Sequence, residues 1–305
     1  MPEVDNQTTR LSRRRFLRLG CWGVASGALM CGLGTAYGLT VEPGWIELVQ
    51  TEVRLPGWPA ALDGFTIAQL SDLHHGPEVD LAHIRQGVEM VNAARPDLVV
   101  LTGDYVTGSA AYCASCAREL AALHAPYGVY AVLGNHDIWT DTELVAGNLI
   151  DQGIALLRDA HTSLEISRSR LWLLGIEDNG YMGSFDFARF QVAWQEQRET
   201  LAGLVTELPA GEPRLLLAHN PDFTEMLPAG RIDLALCGHT HGGQVQLPLA
   251  GAPIVPSCFG QKYVEGLVQG PQTMVYVNRG LGLISPAVRV GCRPEVSLLR
   301  LRPSA

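Results

Sequence analysis

Short apolar runs alternate with segments of helical periodicity along the chain after residue 41. The runs are three to six residues long, are bounded by Gly, Asp or Asn, and are typical of buried strands. Repetition of strand and helix in this order predicts a layered α/β fold. The predicted strands span residues 65–70, 98–101, 129–133, 171–174, 215–218 and 234–236, and the predicted helices span residues 81–94, 116–123, 142–150 and 187–208.

The two ends of this α/β region have a different pattern. Alternating polar and apolar residues at 51–55 predict an edge strand that leads into the domain. Beyond residue 242 the composition shifts to Gly, Pro and short β runs at 274–277 and 296–301, so no further long helix is expected. Neither a low-complexity linker nor a repeat of fixed period divides the chain, which predicts one domain over residues 41–305.

The N-terminal 40 residues have the pattern of an export signal. No acidic residue lies between Asn6 and Val41, and residues 12–18 read SRRRFLR before an apolar, glycine-broken segment at 19–37. This arrangement resembles the twin-arginine signal, which implies transport of the folded protein by the twin-arginine export machinery. An ordinary membrane anchor is the alternative, and without a clear cleavage site the signal can itself remain as an anchor. The expected location is the periplasm or the outer face of the cytoplasmic membrane.

Composition and charge exclude several classes of protein. The 305 residues are 47% hydrophobic and only 17% charged, which indicates a globular chain rather than a disordered one. The formal net charge of −9 disfavours nucleic acid as a partner. Seven cysteines are too few for a disulfide scaffold. Cys113 and Cys116 have redox spacing but follow no thioredoxin-like strand, so their role and redox state stay open.

Polar residues follow five of the buried runs directly or within two residues. Because the carboxyl ends of strands in α/β sheets point into a common crevice, we expect these side chains to meet. Imidazoles mixed with carboxylates and an amide suit Mn, Fe, Co, Ni or Zn better than calcium. Seven donors exceed the need of one ion that must also bind water, which favours two divalent ions about 3.5–4 Å apart. The candidate ligands are Asp72, His74, Asp104, Asn135, His219, His239 and His241.

The order of these motifs resembles that of the calcineurin-like metallophosphoesterases, and in particular a twin-arginine-exported subgroup. The resemblance implies a four-layer α/β/β/α sandwich with two central mixed β-sheets. It also implies a metal-dependent phosphoester hydrolase with a phosphodiester favoured over a monoester. In the implied ligand set, Asp72, His74 and His241 hold the first ion, Asn135, His219 and His239 hold the second, and Asp104 bridges them.

The resemblance also suggests catalytic and substrate-binding residues. His136 is expected to act as general acid or charge stabiliser at the phosphate, with Asp137 orienting it. Arg279 is a candidate phosphate ligand, although an arginine that bonds turn carbonyls is an equal alternative. His75 is a candidate for the pocket rim or for contact with substrate. Trp139 and residues 181–185 form either an apolar lip or core packing, and Asp178 and Asn179 form either part of the rim or a simple turn.

The expected substrate is a phosphodiester or pyrophosphate at the membrane, such as a lipid headgroup or a nucleotide-linked glycolipid. Two other functions remain open at this point. The chain could be a catalytically silent metal-binding scaffold of the same fold, or it could be a nuclease, which the net charge disfavours.

Overall fold

The computed structural model describes residues 34–181 and 186–304. Within these residues the chain forms twelve strands. Their bounds are β1 (Glu47–Leu55), β2 (Thr66–Leu70), β3 (Leu98–Thr102), β4 (Val129–Val132), β5 (Ala155–Leu156), β6 (Ala160–Ile166), β7 (Ser169–Ile176), β8 (Arg214–Ala218), β9 (Leu234–Cys237), β10 (Gly266–Gln269), β11 (Met274–Val277) and β12 (Glu295–Pro303).

Five α-helices lie between the strands of the described domain, after residue 80. Their bounds are α1 (Leu81–Ala94), α2 (Cys113–Leu120), α3 (Asn135–Asp151), α4 (Phe187–Ala193) and α5 (Gln195–Glu207). The region after residue 242 contains β10, β11, β12 and short 3₁₀ turns, as its composition predicts.

The strands build two six-stranded sheets of mixed direction. The first has the order β1-β12-β2-β3-β4-β5, with β2 to β5 parallel and β12 antiparallel to β2. The second has the order β10-β11-β9-β8-β7-β6, with β7, β8, β9 and β11 parallel and an antiparallel strand at each edge. The predicted edge strand is β1, which lies at the border of the first sheet.

Three hydrophobic clusters separate four layers. One cluster joins α1, α2 and α3 to the first sheet, through residues such as Ile84, Leu120 and Leu149. A second lies between the two sheets and a third joins α4 and α5 to the second sheet. Burial of both faces explains why the central strands read as continuous apolar runs. The expected α/β/β/α sandwich with two central mixed sheets is confirmed.

Local chemistry explains where the helices begin and end. The side chain of Asp80 accepts a hydrogen bond from the backbone N–H of His83 and caps α1, which matches the predicted bounds. Helix α3 begins seven residues before the predicted start. Extended backbone at Asp141 divides it into two parts, of which the periodicity predicts only the second. The Asp141 side chain accepts from the N–H of Leu144 and so caps the second half, the part that the periodicity predicts. The predicted helix at 187–208 is divided at Trp194 into α4 and α5.

Most of the predicted N-terminal export segment lies outside the described residues, which begin at residue 34. Residues 34–40 are helical. Over residues 34–181 and 186–304, the helices are too short or too polar to cross a membrane.

Candidate metal centre

The seven candidate ligands follow the carboxyl ends of five strands, in loops, in a 3₁₀ turn at His241 and at the first residue of α3, Asn135. Sheet one contributes four of them, after β2, β3 and β4, and sheet two contributes three, after β8 and β9. Six of the seven side chains are buried and that of His239 is half-buried. The structure therefore brings together the side chains that the motifs predict.

One group of donor atoms surrounds Asp72. His241 Nε2 lies 3.3 Å from Asp72 Oδ1, and His74 Nε2 lies 3.8 Å from the same oxygen. His74 Nε2 and His241 Nε2 are 2.9 Å apart. Asp72, His74 and His241 present their donor atoms within 4.8 Å of one another, as a metal site requires.

A second group lies on the other side of Asp104. His239 Nδ1 is 2.9 Å from Asn135 Oδ1 and 3.3 Å from His219 Nε2. Asp104 Oδ2 lies 3.2 Å from His219 Nε2 and 3.5 Å from His74 Nε2, so one carboxylate reaches both groups. This division has the pattern of two adjacent ions sharing Asp104, and the individual ligand roles remain predictions.

Backbone strain is concentrated at these residues. Ten non-glycine residues in the described chain have positive φ, and five of them are candidate ligands. Such left-handed conformations are costly for ordinary residues and persist only where the surroundings enforce them. The five are Asp72, His74, Asp104, His239 and His241, with φ between 49° and 72°.

Two motif glycines are required by close approach to the carboxylates. A Cβ at Gly134 would lie 2.3 Å from Asp104 Oδ1, and a Cβ at Gly238 would lie 2.2 Å from Asp72 Oδ2. Such distances are well inside van der Waals contact. The glycines of the Gly-Asn-His-Asp and Gly-His motifs therefore leave the space in which the carboxylates lie.

The charge of the group suits divalent cations. Although burial opposes ionisation, nearby histidines hold the pKa values of Asp72 and Asp104 well below the ordinary range, so both are anionic. Burial lowers the pKa of His239 to about 4 and holds that of His241 well below its ordinary value, which keeps both in the neutral form that binds metal. Burial lowers the pKa of His219 as well, but Asp104 and Asp72 raise it well above the ordinary value overall. The two buried carboxylates thus require positive charge beside them.

Two imidazole nitrogens approach each other closely beside Asp72. His74 Nε2 and His241 Nε2 lie 2.9 Å apart, and Asp72 Oδ1 lies 3.3 Å from the latter. This arrangement favours a cation among the three side chains over direct contact between two neutral imidazoles.

Two threonines that the sequence motifs do not mark support the histidines. His219 Nδ1 lies 2.7 Å from the carbonyl oxygen of Thr102, which can only accept, so Nδ1 carries a proton and Nε2 faces the site. His74 Nδ1 lies 2.6 Å from Thr107 Oγ1, a hydroxyl that can accept or donate, and this contact orients the ring with Nε2 toward the site. Sequence alone offers one weak signal for Thr102, which ends β3 next to the Gly-Asp motif.

The carboxylate of Asp137 holds the backbone around Asp104. It accepts hydrogen bonds from three backbone N–H groups, those of Asp104, Tyr105 and Gly134, at 2.8 to 2.9 Å. These bonds join the loop after β3 to the first turn of α3, so Asp137 positions Asp104. Orientation of His136 by Asp137 stays a prediction.

His136 lies at the edge of the donor group. Its backbone N–H donates to Asp104 Oδ1 at 2.8 Å, and its ring packs edge-on against that of His74, with ring centroids 4.7 Å apart. Trp139 is 44% exposed and its ring lies 4.6 Å from that of His136, which fits a lip and not core packing. The Trp139 indole donates to the carbonyl of Gly180 at 2.7 Å. Residues 182–185 of the predicted lip lie outside the described residues.

Asp178 is a buried carboxyl close to this region. Its Oδ1 accepts from the N–H of Gly180, while Oδ2 is buried without a partner among the described residues. Burial raises the pKa of Asp178 to about 6. The Asp178–Asn179 pair forms a turn, since Asn179 Oδ1 accepts from the N–H of Tyr181.

The two candidate substrate residues are already engaged by the protein. The Arg279 guanidinium, which is 13% exposed, pairs with Glu295 at 2.7 Å and Glu47 at 2.9 Å. His75 places Nδ1 2.9 Å from the carbonyl of Val79 and Nε2 3.0 Å from Ser115 Oγ. Substrate contact by either residue stays a prediction, and these partners compete with it.

A different arginine bonds the turn carbonyls that were considered for Arg279. The buried Arg289 donates to the carbonyl oxygens of Arg279, Gly280 and Gly282, and to that of Cys292 at 3.0 Å. Gly280 in this turn contacts Asp72, where a Cβ would lie 2.8 Å from the Asp72 Cβ. Arg289 therefore holds the turn that packs against the first ligand.

The cysteine pair lies beneath the site. Cys113 and Cys116 are buried free thiols, and Cys116 Sγ lies 3.4 Å from the carbonyl oxygen of Tyr105. Burial raises the pKa of Cys113 to about 11, so the thiol is not activated as a nucleophile.

Comparison with known proteins assigns the family. A family model described as calcineurin-like phosphoesterase matches residues 65–243, which include all seven candidate ligands. The chain is 34% identical over 298 residues to phosphodiesterase YaeI of Escherichia coli (strain K12), with 95% of this chain and 99% of the relative covered. It is 32% identical over 296 residues to uncharacterized metallophosphoesterase YkuE of Bacillus subtilis (strain 168), with 96% and 98% covered.

A third relative acts on a glycolipid nucleotide. The chain is 28% identical over 304 residues to UDP-2,3-diacylglucosamine pyrophosphatase LpxG of Chlamydia muridarum (strain MoPn / Nigg), with 85% of this chain and 90% of the relative covered. The family match spans more than half of the 305 residues, and two relatives exceed 30% identity over nearly their whole length. The chain therefore belongs to the calcineurin-like phosphoesterase family, the metal-dependent hydrolases of phosphoesters.

Proposed function

We propose that this protein is an exported phosphodiesterase that holds two divalent cations and cleaves a phosphodiester or pyrophosphate bond of a lipid-linked substrate. The observation that supports it most strongly is the convergence of seven donor side chains from both sheets into two groups that share Asp104. A scaffold protein without turnover would not need His136 beside those donors.

The ligand roles follow from the two groups. Asp72, His74 and His241 would hold one cation, and Asn135, His219 and His239 would hold the other, with Asp104 between them. Divalent cations at such a site polarise a phosphoryl oxygen and lower the pKa of water to about 7. The ion identity is left open among Mn, Fe, Zn, Co and Ni, since affinity and supply compete.

The remaining residues bind and orient. The His136 ring is half-buried beside His74, and one of its nitrogens lies within 4.8 Å of donor atoms of His74 and Asp104. In the proposed assignment His136 is not a ligand, and it would donate a hydrogen bond to a phosphate or leaving oxygen. Trp139 packs on the outer side of that ring and restricts its rotation. The loop carrying Asp104 is fixed by three amide hydrogen bonds to Asp137.

The substrate class is supported by the relatives. One is named a phosphodiesterase and another a UDP-2,3-diacylglucosamine pyrophosphatase, and both names describe a phosphorus atom bonded through oxygen to two organic or phosphoryl groups. This favours a diester or pyrophosphate over a monoester for the present chain.

Export and the division into residues 1–40 and 41–305 complete the proposal. They are supported by the paired arginines and the apolar stretch that follows them. A double substitution Arg13→Lys, Arg14→Lys is expected to retain the protein in the cytoplasm. Appearance of this variant in the periplasmic or membrane fraction at the wild-type level would contradict the twin-arginine route.

Hydrolysis of bis(p-nitrophenyl) phosphate by the metal-loaded full chain tests the activity. Release of p-nitrophenol is expected from the wild type, and the variants Asp104→Asn and His136→Ala are expected to lose most of it. Equal activity in all three proteins would refute the assignment of the site.

A further inference from the structure

An apolar cavity opens directly beside the candidate metal centre. Its volume is about 380 Å³, and His241 forms part of its wall. Val245, Ile254, Ile284 and Val288 line it together with three prolines, and no Asp, Glu, Lys or Arg is among the described lining residues. A cavity of this size and polarity accepts a hydrocarbon chain and would exclude a charged group.

A second cavity near the same centre has a mixed lining. Its volume is about 320 Å³, and it adjoins His74 with Glu78 and Ser109 beside Tyr112 and Leu283 in its wall. Ile284 and Ser285 line both cavities, so the two meet at one segment. A substrate with its phosphorus near His74 and His241 would thus have two directions in which to extend, and only the first is free of charged residues.

Exposed apolar side chains lie on the chain segments that border the cavity. Ile254, which lines it, is 73% exposed, and the nearby residues Leu247 and Leu249 are 44% and fully exposed. Leu39 and Trp45, at the beginning of the domain, are 51% and 49% exposed. Where such side chains form one patch, they are typical of a surface that meets a partner or a lipid phase.

Residues 288–290 contact the chain near both exposed groups. The carbonyl oxygen of Gly38 accepts from the backbone N–H of Arg289, and Gly38 packs against Val288 and Val290. The backbone N–H of Gln246 donates to the carbonyl of Val290 at 2.7 Å. Gly38, which follows the apolar stretch at 19–37 in the sequence, therefore lies beside Val288, a residue of the cavity wall.

We propose that this cavity binds an alkyl chain of the phosphoester substrate, with the phosphorus at His241 and the exposed apolar rim turned to the membrane. The proposal rests on the proposed function and adds the site that selects a lipid over a soluble phosphodiester. The occupant is the substrate's own chain because the cavity shares His241 with the metal centre and no charged residue lines it in the described chain.

Chain-length dependence tests the cavity directly. The probes are p-nitrophenyl alkyl phosphodiesters from methyl to octyl, assayed with the metal-loaded full chain. Each methylene that enters an apolar cavity is worth about fourfold, so kcat/KM of the octyl ester is expected to exceed that of the methyl ester by at least about a hundredfold.

Two variants localise the effect. Ile254→Asp places a carboxylate on the wall and is expected to lower the octyl-to-methyl ratio at least about tenfold. Val192→Asp is the matched control, because Val192 on α4 is 80% exposed and lines a separate cavity. The readout is a ratio of two kcat/KM values within one protein. Partial loss of folding therefore lowers the activity on both esters alike and leaves the ratio unchanged.

The outcomes separate the two proposals. Absence of any ester hydrolysis by the wild type would refute the proposed function, and calorimetry then still compares octyl phosphate with methyl phosphate as ligands. A ratio near one in both measurements, or equal ratios in Ile254→Asp and Val192→Asp, would overturn the cavity assignment while leaving the hydrolase intact.

Discussion

Substitution of Gly134 by alanine is the sharpest perturbation of the site that the chain offers. A Cβ added there would meet Asp104 Oδ1 at 2.3 Å and the Asp104 N at 2.7 Å. Because heavy atoms do not approach a Cβ closer than about 3.0 Å, Asp104 must move by at least about 0.7 Å. Gly134 has φ −107°, so the new side chain meets a steric limit and no left-handed strain.

The consequence is expected at both the cations and the reaction. A displacement approaching 1 Å at a reacting group costs on the order of 10²-fold in rate, or about 2.7 kcal/mol. Overpacking should also lower stability by about 1–3 kcal/mol. Gly147→Ala is the matched control, since Gly147 lies in the same helix α3 with no atom within 4 Å of an added Cβ. That variant should keep full activity and be more stable to unfolding by about 0.5–1 kcal/mol.

The assay combines bis(p-nitrophenyl) phosphate turnover, metal content per chain and thermal unfolding for the wild type and both variants. Gly134→Ala is expected to show reduced metal content and about 10²-fold lower kcat. Wild-type turnover with a full complement of metal in Gly134→Ala would refute the view that this glycine makes room for a ligand carboxylate.

Three further substitutions follow from the structure. His136→Ala is expected to lower kcat by about 10²–10⁴-fold at unchanged metal content, and loss of metal instead would make His136 a ligand. Asp104→Asn is expected to lower metal content and activity together, and retention of both in elemental analysis and turnover would remove Asp104 from the site. Arg289→Met leaves four backbone carbonyls without their donor and should destabilise the fold by about 3 kcal/mol or more in denaturant titration. Arg54→Met, at a side chain that is 64% exposed, should change the free energy of unfolding by under about 0.5 kcal/mol. Equal effects of the Arg289 and Arg54 substitutions would contradict the stabilising role of the bonds from Arg289 to the four carbonyls.

Much of the α/β pattern is visible in the sequence because the central strands are buried on both faces. The runs ending at Leu70, Leu101 and Ala218 mark β2, β3 and β8 closely, and the capped helix α1 matches its predicted bounds. Strands β5, β6 and β10 lie at sheet edges, where a short or half-exposed run has no distinctive pattern. The arrangement of four layers with two mixed sheets came from family resemblance, and the pairing order of the strands was not predicted, since periodicity carries no information on long-range pairing.

The ligand side chains were predictable because each follows a strand that an apolar run in the sequence predicts. The backbone hydrogen bonds that Asp137 accepts were not predictable, because the sequence shows an acidic residue after His136 but not the amides that surround it. Thr107 and Arg289 were missed for the same reason: their partners, His74 Nδ1 and a cluster of carbonyl oxygens, are brought near by tertiary structure. The left-handed conformations of Asp72 and Asp104 also have no local sequence signal.

Elemental analysis of the natively purified full chain, coupled to phosphodiester turnover on the same sample, tests the central claim most directly. Two groups of donors sharing Asp104 predict about two divalent ions per chain and activity that falls and returns with removal and restoration of the metal. Much less than one ion per chain with undiminished turnover would contradict it.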